Sequence, residues 1–127
     1  MSTRANIKLI NKSGDVLWFY RHFDGYPEGA LPLLEKFLNF IKEGKIRNNI
    51  SQAGGWLIMF GAKEYEKDTE GVIKDITLPT DDVLSGWKVG SIEPTTEQHG
   101  DIDYLYVVDL DAKTITNTPF KRGGVVA

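Results

Sequence analysis

The segment from Arg4 to His22 constrains the fold more than any other part of the chain. Ala5, Ile7 and Leu9 alternate with Asn6 and Lys8, the period of two that marks a half-buried strand. Val16 to His22 has the composition of a second strand. Between the two, Asn11-Lys12-Ser13-Gly14-Asp15 supplies the residue types of tight turns, with Gly14 able to take a positive φ at no steric cost. A β-hairpin is predicted. Its second strand is apolar or aromatic on both sides, with Val16, Trp18 and Tyr20 against Leu17 and Phe19. Such a strand belongs inside a sheet, with helices over at least part of it. The same alternation puts Tyr20 and His22 on one face and turns Arg21 to the other.

Beyond the hairpin the hydrophobic period changes. Leu31, Leu34, Phe37, Leu38 and Ile41 recur at spacings of three and four, an amphipathic helix with Pro27 or Pro32 in its first turn and Gly44 as its stop. Ile50 to Tyr65 predicts a second helix capped by Asn49 or Ser51. Gly54, Gly55 and Gly61 weigh against it, and a strand over 55–60 is the alternative. Residues 66–86 read as a charged surface excursion, 87–92 as a short strand, and 121–127 as a loose tail. Ile102 to Leu110 alternates and is rich in Tyr and Val, and Asp111-Ala112-Lys113 turns it into Thr114–Asn117, a closing hairpin. The expectation is a single α+β domain: an antiparallel sheet of about four strands in two neighbouring hairpins, with two helices on one face.

Composition narrows the function classes. The 127 residues are 41% hydrophobic and include six Phe, five Tyr and three Trp, enough for one ordinary core. A formal net charge of -3 argues against duplex nucleic acid or an anionic membrane as partner, since both call for a concentrated positive field. With no cysteine, disulfides, thiolate metal sites and thiol catalysis are excluded, which fits a reducing cytoplasm. The start Met-Ser-Thr-Arg-Ala-Asn has no apolar signal region, and no apolar run nears the roughly 20 residues of a membrane helix. A cytoplasmic protein is expected.

Polar chemistry gathers at two places. Tyr20-Arg21-His22-Phe23-Asp24-Gly25-Tyr26-Pro27-Glu28-Gly29 spans the strand-to-helix junction, and Glu97-Gln98-His99-Gly100-Asp101 precedes the closing hairpin. Each holds a histidine near an Asp and a Gly. Imidazole beside carboxylate suits acid–base work or, with N/O donors, a divalent metal. For catalysis His22, Asp24, His99 and Asp101 are the candidates. A ligand site would add Arg4, Arg21, Tyr26, Glu28 and Tyr104, the arginines as bidentate partners for carboxylate or phosphate and the aromatics as stacking surfaces. The competing reading is architectural: Asp-Gly before Tyr-Pro is also what a turn or helix entrance uses. No phosphate-binding loop, dinucleotide fingerprint, nucleophile elbow or EF-hand pattern occurs.

The decapeptide 20–29, the start Ser2-Thr3-Arg4-Ala5, and Glu93-Pro94-Thr95-Thr96 with His99-Gly100-Asp101-Ile102-Asp103-Tyr104-Leu105-Tyr106 resemble a family of small proteins encoded by tailed phages, prophages and gut bacteria. The resemblance covers both ends and the first helix well, and about 66–91 poorly. It implies a phage or mobile-element setting and carries no activity with it. Three functions are expected to compete. One is a non-catalytic binder of a small anionic or nucleotide-like ligand or of a host protein. The others are a small metal-assisted or acid–base enzyme and an interaction module.

Overall fold

A computed structural model describes residues 3–63, 91–121 and 125–126. The expected hairpin is formed by β1 (Ala5–Ile10) and β2 (Val16–Arg21), paired from Ala5 opposite Arg21 to Ile10 opposite Val16. Its turn is closed from within: Asn11 Oδ1 accepts the amides of Ser13 at 3.1 Å and Asp15 at 3.0 Å, and Gly14 takes φ 88°. Next come α1 (Pro27–Lys42) and α2 (Ile50–Lys63), then β3 (Glu93–Thr95), β4 (Tyr104–Asp109), β5 (Thr114–Lys121) and the two-residue β6 (Val125–Val126).

The strand order is β3-β2-β1-β4-β5, with β6 on the outer edge of β5. Two features depart from the expectation of four antiparallel strands. The two hairpins are neighbours, but β1 and β4 run parallel, Ala5 opposite Tyr104 through Ile10 opposite Asp109. A parallel pair requires a long crossover, and the chain between β2 and β4 carries both helices. The second departure is β3, which adds to β2 through Trp18–Thr95, Phe19–Pro94 and Tyr20–Glu93, so β2 is an interior strand as its two-sided composition requires. Near the C-terminal end Val125 and Val126 pair with Lys121 and Phe120, and the rest of the 121–127 tail lies outside the described residues. The 66–86 excursion and most of the 87–92 strand lie outside the described residues.

The helices cover one face. Ala5, Ile7 and Leu9 of β1, Phe19 of β2, and Tyr106 and Val108 of β4 form the core with Leu34, Phe37, Leu38 and Ile41 of α1 and Ala53, Leu57 and Phe60 of α2. Asn49 caps α2, its Oδ1 accepting the Gln52 amide at 3.2 Å. The glycines that weigh against this helix in sequence are what let it dock. A Cβ on Gly54 would lie 2.8 Å from Leu17 Cδ1, and one on Gly61 would lie 2.9 Å from Ile92 Cβ. No helix among the described residues is long and apolar enough to cross a membrane.

Candidate functional site

Because strand side chains alternate, the decapeptide divides between the two faces of the sheet. Arg21, opposite Ala5, goes to the helix side and is 1% exposed. Its guanidinium binds backbone: Nε donates to Asp24 O at 3.0 Å and Nη2 to Gly29 O at 3.4 Å, while Nη1 donates to Ser91 Oγ at 3.2 Å. Ser91 in turn donates to Gly61 O at 3.1 Å. Beside it the buried Tyr106 hydroxyl donates to Gly25 O at 2.6 Å. Burial first, then the neighbouring Tyr104, raises the Tyr106 pKa above its ordinary 10.0; Arg21 opposes this and Glu28 adds to it.

The glycines of the motif complete this junction. A Cβ on Gly25 would sit 2.8 Å from Thr3 O, and one on Gly29 only 2.6 Å from Asp24 O. Asp24 itself takes φ 56°. Pro27 opens α1, with Glu28 in the first turn near the positive end of the helix dipole. Tyr26 occupies the N-cap position without a side-chain cap bond and is 39% exposed. Tyr104 faces the helix side and stacks at 6.2 Å with Tyr106.

The other face carries a different assembly. The Tyr20 ring stacks on His99, centroids 4.1 Å apart and planes 17° from parallel. The Tyr20 hydroxyl is joined to His22 Nδ1 by a 3.1 Å hydrogen bond. His22 is exposed and meets the edge of Phe23 at 4.5 Å, and Phe23 is 57% exposed. The His99 loop is tied down by its amide, which donates to Asn6 Oδ1 at 2.7 Å, and by Nε2, 3.0 Å from Thr95 Oγ1. Asp101 accepts from Arg4 Nη1 at 2.8 Å and lies 4.0 Å from His99 Nδ1. Arg4 Nε and Asp101 Oδ1 are buried atoms without a hydrogen-bond partner.

The two polar clusters therefore do meet, with Tyr20 as the bridge. Of the residues read from sequence, Arg4, His22, His99 and Asp101 assemble there. Arg21 and Tyr104 are on the helix side, and Asp24, Tyr26 and Glu28 belong to the junction that leads into α1. Arg21, read from sequence as a grip for an anion, is buried on the helix side and donates there to Asp24 O, Gly29 O and Ser91 Oγ. Asn6, Thr95 and Phe23 are the members the sequence reading missed. Asn6 looks like an ordinary outward residue of a half-buried strand, yet it is 0% exposed because the His99 loop folds over it. Among the described residues no group of three or more His, Cys, Asp or Glu gathers to hold a metal. A cavity of about 430 Å³ lies between α2 and the β2–β3 edge, lined by Val16, Trp18, Ser51, Gly55, Ile58 and Thr95 among others.

These features define an α+β domain with one helix-covered sheet face and an imidazole–tyrosine rim on the other. No protein-family model, curated protein or solved structure matches the chain.

Proposed function

We propose that the chain is a non-catalytic binding protein whose site is the Tyr20–His22–His99–Arg4 rim. Its ligand is small and nucleotide-like, with a planar ring to lie against the exposed His22 and Phe23 and an anionic group to take Arg4 from Asp101. The observation that carries this reading is the Tyr20 bridge, which joins imidazoles 77 positions apart in sequence on one side of the sheet. Aromatic and imidazole faces suit a ring, and guanidinium suits an anion. The Arg4–Asp101 ion pair lies beside them on side chains 29% and 48% exposed, so its charges stay within reach of solvent.

The enzyme reading is weaker, because His99 is committed to holding its loop. One ring face is on Tyr20 and Nε2 is on Thr95, which leaves little of the freedom a proton-transferring imidazole needs. We place the protein in the cytoplasm, in a phage or mobile-element setting. A host protein docking on Phe23 is the competing partner.

Thermal-shift measurement across nucleotides, with simple sugars and divalent metals as comparison sets, tests the proposal. A binding nucleotide at about 100 times its Kd stabilises by about 2.7 kcal/mol, and that shift must be lost in His22→Ala and Arg4→Ala. If no nucleotide moves the melting temperature, or if both variants keep the full shift, the rim is not the site.

A further inference from the structure

The two edges of the sheet are built differently. On one side β3 is three residues long, carries the exposed Glu93 and contains Pro94, which has no N–H to offer. Charge, proline and shortness are the means by which sheets keep an edge from pairing with another chain. On the other side β5 is eight residues long, and among the described residues β6 pairs with it only at Phe120 and Lys121. Thr114-Ile115-Thr116-Asn117-Thr118 is left as five consecutive uncharged residues, three of them exposed.

The outward backbone groups of this edge follow from the ladder. The Phe120 amide donates to Asp103 O at 2.7 Å, so Phe120 points its backbone polar groups toward β4, and Thr118, Thr116 and Thr114 do the same by alternation. Ile115 and Asn117 therefore point theirs outward. Pro119 also faces outward and has no N–H to give.

We infer that β5 pairs antiparallel with β5 of a second copy of this chain, about a two-fold axis through Thr116. In that register Ile115 of one copy faces Asn117 of the other, and vice versa, so every outward N–H and C=O of these two residues finds a partner. Thr116 faces its own symmetry mate in the closer, non-hydrogen-bonded type of pair, and Thr114 faces Thr118. Threonine pairs of this kind are favourable across strands, and no like charges oppose one another. A shift of the axis to Asn117 sets Ile115 against Pro119, whose missing N–H leaves the Ile115 C=O without a donor, so the axis through Thr116 is the register that satisfies both outward residues in full. The result is a two-fold symmetric contact that continues one sheet into the next.

Light scattering on the purified full chain over a concentration series tests this. The expected result is a mass rising to twice that of one chain, with Asn117→Pro and Thr116→Lys remaining at one. The first substitution deletes an outward N–H without touching the β4 ladder, and the second sets two like charges face to face. Because the chain has no cysteine, Thr116→Cys supplies an independent reading. Its Cα lies about 4.5 Å from its mate in a non-hydrogen-bonded pair, within disulfide reach. Mild oxidation then gives a covalent dimer far faster than Ser13→Cys in the exposed hairpin turn. A single-chain mass at every concentration, or equal oxidation rates for the two cysteine variants, overturns the pairing.

Discussion

The two sides of the sheet at the β2–α1 junction share one stretch of sequence and do opposite things with polar side chains. On the helix side Arg21 and Tyr106 are buried, and their bonds go to Asp24 O, Gly29 O, Gly25 O and Ser91 Oγ. Polar groups there are satisfied by a backbone that cannot move away, so they act as architecture. On the open side His22, Phe23, Arg4 and Asp101 keep exposure and bond mostly to other side chains. Adjacent residues of a strand can thus carry a buried and an exposed set of polar groups separately, because the peptide unit sends them to opposite faces.

The comparison breaks first at Arg21. Arg21→Ala leaves carbonyls it served in a buried site without their donor, and a loss of about 3–5 kcal/mol is expected from urea denaturation. Arg4→Ala, on the exposed side, costs below about 1 kcal/mol by the same measurement. Equal losses would erase the distinction between the faces. Gly25→Ala comes next: its methyl meets Thr3 O and the Ala5 side chain, and forced backbone movement of this kind costs about 1–3 kcal/mol.

Tyr106→Phe sharpens the contrast with pH. Losing the bond to Gly25 O costs about 1–3 kcal/mol at neutral pH. Burial holds the folded Tyr106 pKa above 10.0, so the hydroxyl stays protonated in the folded protein where the unfolded chain already ionises. Its contribution is complete below pH 10 and is lost as pH rises from there toward the folded value, by up to about 1.4 kcal/mol per pH unit. Denaturation midpoints above pH 10 should fall more steeply for the native chain than for Tyr106→Phe; parallel slopes would mean the hydroxyl is not sealed from water. The smallest effect belongs to His22→Ala. A change within about 0.5 kcal/mol is expected; under the proposed function, the nucleotide-induced thermal shift is what this variant loses.

Local pattern carried much of the fold. The alternation in Arg4–Ile10, the turn residues 11–15, the spacing of Leu31 through Ile41 and the closing hairpin each specify an element through interactions within a few residues. The interior position of β2 was legible too, since Leu17 and Phe19 on one side and Trp18 and Tyr20 on the other leave no face for water. The parallel β1–β4 pair was not, because strand direction depends on the path of the crossover. β3 was invisible for another reason: Glu-Pro-Thr has little strand character, and its pairing is supplied by β2.

The candidate site divides along the same line. Sequence alone determined that His22 and Arg21 part company across β2 and that both histidines sit beside turns, since these follow from backbone geometry within one segment. Only the tertiary fold decided that His99 lands on the Tyr20 ring, that Arg4 reaches Asp101 and that Asn6 is sealed beneath the loop. Those contacts join residues more than 75 positions apart, and a one-dimensional pattern holds no information about which distant segment will cover a given face.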